Sequence, residues 1–193
     1  MASTYSALKI ELIGTGEQDG TWGTTTNTNL GNDALGEAIT GSADVAFSSA
    51  DVTVTLTDTN ATQSARNLRL NLTGTTGGAR SLILGSGCQI EKLYLVNNGC
   101  ADAVTVKNTS GTGIAVPAGK TMFVFNNGTN VVDAVSYFAG VVAATTITAS
   151  GTLAVTGNAT FTNDLTVNGN TTLGNASGDT IALNAATATI PNN

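Results

Sequence analysis

Apolar and polar residues alternate with a period of two between about residue 43 and residue 138. The alternation is clear at 52–56, and it returns at intervals of about ten residues in the segments 68–72, 82–84, 90–96, 103–106, 114–116, 122–125 and 131–135. Gly and Asn, which favour tight turns, separate nearly all of these segments. Seven or eight short strands with this spacing predict an all-β module, a β-sandwich or small barrel.

A different periodicity marks the segment 26–39, the one stretch with a convincing helical pattern. Its apolar residues fall on one face of a helix: Leu30, Ala34, Leu35, Ala38 and Ile39. A Thr or Asn near 26–29 can cap this helix, and Gly41 ends it. The sequence therefore predicts one short helix before the strands.

The residues before this helix surround Trp22, the only tryptophan, with glycines at positions 14, 16, 20 and 23. Glycine permits positive φ and close backbone approach, so we expect a folded loop that closes over an aromatic anchor. A short alternation at 5–12 precedes the loop.

Two copies of one pattern form the C-terminal region, at 153–163 and 165–175. Leu, Val, Gly-Asn, Thr, an apolar residue and Asn all return after twelve residues, and 181–183 resembles a third, imperfect copy. One such repeat cannot bury its apolar edge alone, whereas three chains around a shared axis can. The sequence predicts a repetitive trimeric β fibre shaft whose core is formed by Leu153, Val155, Phe161, Leu165, Val167 and Leu173.

Composition and charge exclude several classes of partner. Only 10% of residues are charged, the net charge is -6, and no Lys or Arg follows Lys120, which argues against nucleic-acid binding. No apolar run has the length of a membrane span, and the N-terminus lacks the features of a signal peptide, so we expect assembly in a cytoplasm without membrane insertion. Cys88 and Cys100 match no metal motif and are expected to be free thiols.

The residue types that carry most catalysis are absent or scattered. The chain has no histidine, and its 13 carboxylates form no evident pair. The segment 113–121 resembles a P-loop but has five residues between its glycines and lies between strands. Arg66, Arg69 and Arg80, the densest basic group, are interpreted as a solvated sheet face. We therefore expect no catalytic residue, cofactor or metal site, and no enzymatic activity.

Two regions resemble a known class of proteins. Residues 5–12 (YSALKIEL) and 14–31 (GTGEQDGTWGTTTNTNLG) resemble the N-terminus of tail fibre proteins of marine tailed bacteriophages. Residues 106–120 (VKNTSGTGIAVPAGK) and 126–133 (NNGTNVVD) are similar to the β-rich, virion-proximal module of those proteins. The resemblance covers roughly residues 1–138, and the repeats resemble fibre shafts in composition.

The resemblance implies a homotrimer in the virion tail. Its N-terminal part would dock on another tail protein of the adaptor, nozzle or baseplate type, and a distal part would face the host cell surface. Trp22, Leu30 and Leu35 are the expected docking residues. The chain stops at 191–193 (PNN) without a bulky receptor-binding domain; the tip is missing from this chain, is supplied by another protein, or the fibre is a short attachment piece.

The expected organisation is an attachment segment (1–42), a β module (43–138), a linker (139–152) and shaft repeats (153–193). Two alternatives to a tail fibre stay open. One is another virion appendage, such as a capsid-decorating fibre or a baseplate or neck component. The other is a carbohydrate-binding or depolymerising module, for which one Trp and three Tyr supply few aromatic platforms.

Overall fold

A computed structural model describes residues 2–31, 34–139, 142, 144, 146–149, 151–174, 176–182 and 184 of the chain. The chain divides into two units, residues 1–142 and 143–193. The first unit consists mainly of β-strands, which confirms the prediction of an all-β fold.

The described residues of the first unit form eleven strands and two short helices. The strands are β1 (Thr4–Tyr5), β2 (Glu11–Leu12), β3 (Ser42–Ser48), β4 (Val52–Val54), β5 (Arg69–Thr75), β6 (Arg80–Leu84), β7 (Glu91–Asn98), β8 (Val104–Asn108), β9 (Ile114–Val116), β10 (Thr121–Asn127) and β11 (Val131–Asp133). The helices are α1 (Trp22–Leu30) and α2 (Leu35–Thr40), and a single 3₁₀ turn covers Ser64–Arg66. No helix in the described part of the chain has the length and apolarity to cross a membrane.

The strands from β3 to β11 form two sheets. One sheet has the order β11-β10-β7-β5-β3 and the other the order β4-β6-β8-β9. From β3 to β8 the chain alternates between the sheets, and the strands within each sheet run parallel: β3 with β5, β5 with β7, β4 with β6, and β6 with β8. Three successive coils therefore stack on each other, and β9, β10 and β11 add antiparallel strands at one end.

One hydrophobic core lies between the two sheets. Its inward-facing residues alternate with outward-facing ones along each strand, because successive side chains of a strand point to opposite faces. The first sheet contributes Val45, Phe47, Leu70, Leu72, Tyr94, Val96, Val124 and Val131, and the second contributes Leu82, Leu84, Val104, Val106 and Val116. This set includes residues of every predicted strand segment except 52–56, where Val52 and Val54 are partly buried against the core. The alternation therefore located most of the strands.

The helix predicted over 26–39 is present only in parts. Helix α1 begins earlier, at Trp22, and α2 begins at Leu35. The predicted common apolar face is wrong, because Ala34 is buried while Leu30 and Ile39 are exposed. The buried residue of α2 is instead the charged Glu37.

The described residues of the second unit contain no helix or strand, and all of their side chains are exposed. A local turn at 176–179 is closed by the backbone N–H of Asp179, which donates to the carbonyl oxygen of Ala176. The shaft is a prediction about an assembly of chains, and it stays a prediction.

Candidate docking and assembly surfaces

A buried ion pair connects the N-terminal segment to the β module. Arg66 and Glu37 are both buried, and Nη1 of Arg66 lies 3.1 Å from Oε2 of Glu37. The same guanidinium donates to the carbonyl oxygens of Leu8 and Lys9, at 3.0 and 3.2 Å, and to that of Thr59 at 2.7 Å. A buried charge is tolerated when it is paired and its donors are satisfied, so Arg66 orders the first hairpin against the module.

The interpretation of Arg66 as part of a solvated sheet face is therefore wrong. Nothing in the sequence around it distinguishes it from Arg69 or Arg80. Arg69 does lie on an exposed outer face, and Arg80 is half-buried with its Nε donating to the carbonyl oxygen of Thr76 at 2.9 Å. Arg66 can be buried because Glu37, 29 residues earlier in α2, pairs with it, and the local sequence does not show this pairing.

A second set of contacts holds the hairpin β1–β2. The backbone N–H of Glu11 donates to Oδ1 of Asn60 at 2.9 Å, and Nδ2 of Asn60 donates to Oε2 of Glu11 at 3.0 Å. Lys9 and Asp58 form an ion pair at 2.9 Å. The segment before β3 is thus attached to the long connection between β4 and β5.

Trp22 does not lie inside a closed loop, contrary to the expectation from its neighbouring glycines. It is the first residue of α1, and 62% of its surface is exposed. Leu30, at the other end of α1, is exposed as well, and Leu35 is half-buried in α2. The three expected docking residues are therefore on one segment, and two of them present uncovered apolar side chains.

An apolar patch covers part of the outward face of the five-stranded sheet. Leu93 pairs with Phe125 and Leu95 with Phe123 across β7 and β10, and Phe125 pairs with Val132 across β10 and β11. The alternate residues Lys92, Tyr94, Val96, Val124, Asn126 and Val131 are buried, so these five side chains point away from the core. Phe123 is half exposed, and Leu93 and Val132 are exposed too. We call these five residues the outer patch.

A ladder of polar side chains borders the outer patch. Nδ2 of Asn97 donates to Oδ1 of Asn71 at 2.6 Å, and Nδ2 of Asn71 donates to Oδ1 of Asp44 at 2.7 Å. The hydroxyl of Thr121 donates to Oδ1 of Asn97 at 2.7 Å. These residues face each other in the register of β3, β5, β7 and β10. An apolar centre with a polar border is the usual anatomy of a protein interface.

Beneath the outer patch, Lys92 points into the core. Its Nζ donates to the carbonyl oxygens of Asn67 and Leu93, at 3.1 and 3.3 Å, and lies 4.0 Å from the centre of the Tyr94 ring. Burial lowers the pKa of Lys92 to about 8. Neither of the two ion pairs among the described residues includes Lys92.

The two cysteines are separate, buried thiols, as predicted. Burial raises the pKa of Cys88 to about 11, which keeps this thiol protonated and unreactive at neutral pH. No group of three or more Asp, Glu or Cys side chains suited to a metal ion occurs among the described residues. The turn at Pro117–Lys120 is present, with Lys120 exposed.

A shallow cavity of about 610 Å³ adjoins the outer patch at Leu93. Its lining is mainly apolar and comes from the turn between β1 and β2, from α2, from the residue before β5 and from the start of β7 with the residue before it: Ala7, Leu8, Ala38, Leu68, Ile90, Glu91, Lys92 and Leu93. No aromatic side chain lines it, so it offers no stacking platform for a sugar ring.

The six predicted shaft residues all have exposed side chains in the single chain: Leu153, Val155, Phe161, Leu165, Val167 and Leu173. The described structure does not bring them together into a core. Their common exposure leaves a repeated apolar surface without cover in one copy.

Comparison with protein-family models, with curated proteins and with solved structures finds no match for this chain. The functional conclusion therefore depends on the surfaces described above and on the resemblance carried by residues 1–138.

Proposed function

We propose that this chain is a structural protein of a bacteriophage tail, a homotrimeric tail fibre or fibre anchor. In this proposal the segment 1–42 docks on another tail protein of the adaptor, nozzle or baseplate type. The β module at 43–138 follows, and the repeats at 153–193 project toward the host cell.

The observation that carries the proposal is the apolar surface of the repeats. Side chains such as Leu165 and Val167, which return with a period of twelve residues, are exposed in the single chain. Exposed apolar surface that recurs at a fixed period is what a chain presents when neighbouring copies complete its core. A threefold arrangement covers it with one chain type.

The exposed side chain of Trp22 supports docking by the N-terminal segment. A tryptophan that its own module does not cover is a typical interface anchor, and truncating such an anchor costs about 2 kcal/mol or more. The buried pair of Arg66 and Glu37 gives the segment a defined position on the module, so Trp22 is presented from an ordered base.

Replacement of Trp22 tests this docking function. We expect Trp22→Ala protein to fold and to form trimers but to be absent from purified virions. Trp22→Phe, the matched control, retains an aromatic side chain and should be incorporated. Normal incorporation of Trp22→Ala would contradict a docking role for this residue.

A capsid-decorating fibre or a baseplate or neck component would need the same two surfaces. The position of the protein in a virion reconstruction separates these from a tail fibre. Electron microscopy of virions labelled with antibodies against this protein locates it at lower resolution.

A further inference from the structure

Besides the exposed residues Trp22, Leu30 and Ile39, two apolar features in the described part of the first unit are uncovered in a single copy. One is the outer patch, in which Phe123 is the most exposed side chain, at 50%. The other is a pair of aromatic residues that follows β11: Tyr137 is 81% exposed and Phe138 is 72% exposed. No charged residue occurs between positions 134 and 142.

We propose that Tyr137 and Phe138 of one copy pack on the outer patch of a second copy. The β module then contributes its own contact to the trimer, in addition to the repeats. This inference rests on the proposed homotrimer and identifies a surface within it.

The path of the chain explains why the partner is another copy. The backbone N–H of Ala134 donates to the carbonyl oxygen of Phe123 at 3.4 Å, so the chain leaves the sheet at the edge of the outer patch. Three and four residues later, Tyr137 and Phe138 are exposed rather than folded back on it. Both halves of an apolar contact are therefore present on each chain, and neither is used within it.

Such a contact is heterologous, because a donor segment on one copy meets a different acceptor surface on the next. Repeated around a threefold axis, it closes into a ring and leaves no half unused. The segment 135–138 precedes the linker at 139–152, so association of the repeats would raise the effective concentration of the two halves of this contact.

The exposed aromatic area supplies part of such an interface. A Phe or Tyr side chain buries about 150–250 Å², so Tyr137 and Phe138 expose roughly 300 Å² on one copy and Phe123 roughly 100 Å² on the other. Together this is about a quarter of the roughly 1,600 Å² that a standard interface buries in total. The aliphatic residues of the outer patch and the polar border of Asn97 and Thr121 extend the area around this centre.

Disulfide trapping in the full chain tests the contact. Tyr137→Cys and Leu93→Cys chains, each with its own affinity tag, are co-expressed and mildly oxidised. We expect a disulfide between differently tagged chains. The native Cys88 and Cys100 should not compete for it, because both are buried. The matched control pairs Tyr137→Cys with Ser48→Cys, which lies on the opposite edge strand of the same sheet, and should give no cross-link.

Substitution in the outer patch supplies an independent readout. Phe123→Ser should raise the concentration at which trimers dissociate by about tenfold or more, as expected when a large aromatic residue is lost from an interface, and Phe123→Leu should restore most of the loss. Circular dichroism confirms that both variants are folded. A folded Phe123→Ser protein with unchanged dissociation would overturn the proposed contact.

The outcomes distinguish this inference from the proposed function. A wild-type trimer without a cross-link between positions 93 and 137 overturns the contact and leaves the trimeric fibre in place. Cross-links between two Tyr137→Cys chains would also overturn it, because they place the donor segments together on the axis. A wild-type chain that is monomeric at micromolar concentration overturns both.

Discussion

Two of the seven cations of this chain, Arg66 and Lys92, lie in the interior of the β module. Arg66 has a carboxylate partner in Glu37, whereas Lys92 is held by two carbonyl oxygens and the face of Tyr94. Replacing the two side chains should therefore affect the stability of the fold differently. Breaking the pair would leave one buried charge without its partner, but removing Lys92 leaves only carbonyl groups to be satisfied.

The stability of the fold should depend on the protonation of Lys92. Its pKa of about 8 lies below the usual 10.5, so the unfolded chain binds more protons than the folded one between these values. Stability then rises with pH from about 8 toward 10.5, and the full penalty, on the order of 3 kcal/mol, is present below pH 8. We expect Lys92→Met to be at least as stable as the wild type at pH 7, with its advantage shrinking by pH 9.

Denaturant titrations of both proteins at pH 7, 8 and 9 measure this difference. The comparison stops at pH 9 because Cys88, with a pKa raised to about 11 from 9.0, acts in the opposite direction above that pH. Lys120→Met removes an exposed lysine and serves as the control. A stability difference between Lys92→Met and wild type that is constant from pH 7 to pH 9 would contradict the lowered pKa of Lys92 in the folded protein.

At the scale of elements, the stacking of coils depends on close approach between parallel strands. Gly74 of β5 pairs with Phe47 of β3 and has a φ of +85°. A Cβ at this position would overlap the carbonyl oxygen of Phe47. The pairing of the first two coils therefore requires glycine both for its conformation and for its lack of a side chain.

Substitution at this position should weaken the first coil. We expect Gly74→Ala to lower the free energy of unfolding by about 2 kcal/mol or more, from backbone strain and from steric overlap with β3. Gly119→Ala is the matched control, since Gly119 has a φ of +67° but open space around it, and should cost less. Thermal or urea unfolding of the two variants measures both losses. Equal losses of unfolding free energy would show that steric overlap with β3 adds nothing to the effect of backbone strain.

The turns show why the strands were predictable and their pairing was not. Each of β7 and β10 ends on Asn, at 98 and 127, and a Gly follows at 99 and 128. After β10 the turn closes a hairpin with β11, but after β7 it leads the chain to β8 in the other sheet. Asn-Gly therefore occurs both in a hairpin turn and in a connection between the two sheets. Parallel stacking depends on contacts more than twenty residues apart, such as Val45 with Leu72, which no local pattern contains.

The candidate surfaces were predictable to different degrees for the same reason. The period of twelve in the repeats and the single Trp22 are visible in the sequence. The outer patch is not, because Leu93, Phe123 and Val132 belong to strands whose inward and outward faces are both largely apolar. Likewise, the burial of Arg66 depends on its pairing with Glu37 from a different element. Only the folded sheet shows which apolar residues remain uncovered.

At the scale of the whole molecule, the first unit has a core of its own, whereas all described residues of the second unit are exposed in a single copy. The second unit contains no Lys or Arg, so its copies carry no attractive opposite charges to hold them together. In the proposed shaft, the apolar side chains that recur in the repeats drive the association of copies. Asn and Gly, which recur between them, suit turns at the solvent side.

Paired substitutions in the second repeat test this arrangement. In a threefold shaft, Val167 faces the axis, and Val167→Asp places three like charges around it in a water-poor setting. We expect this variant to lose shaft assembly, seen as loss of trimers or of their melting transition by light scattering and native mass spectrometry. Asn170→Asp adds the same charge three residues away on the solvent side and should be tolerated. If both variants melted as the wild type does, Val167 would not lie in a shaft core, and the repeats would have to be held by some other surface.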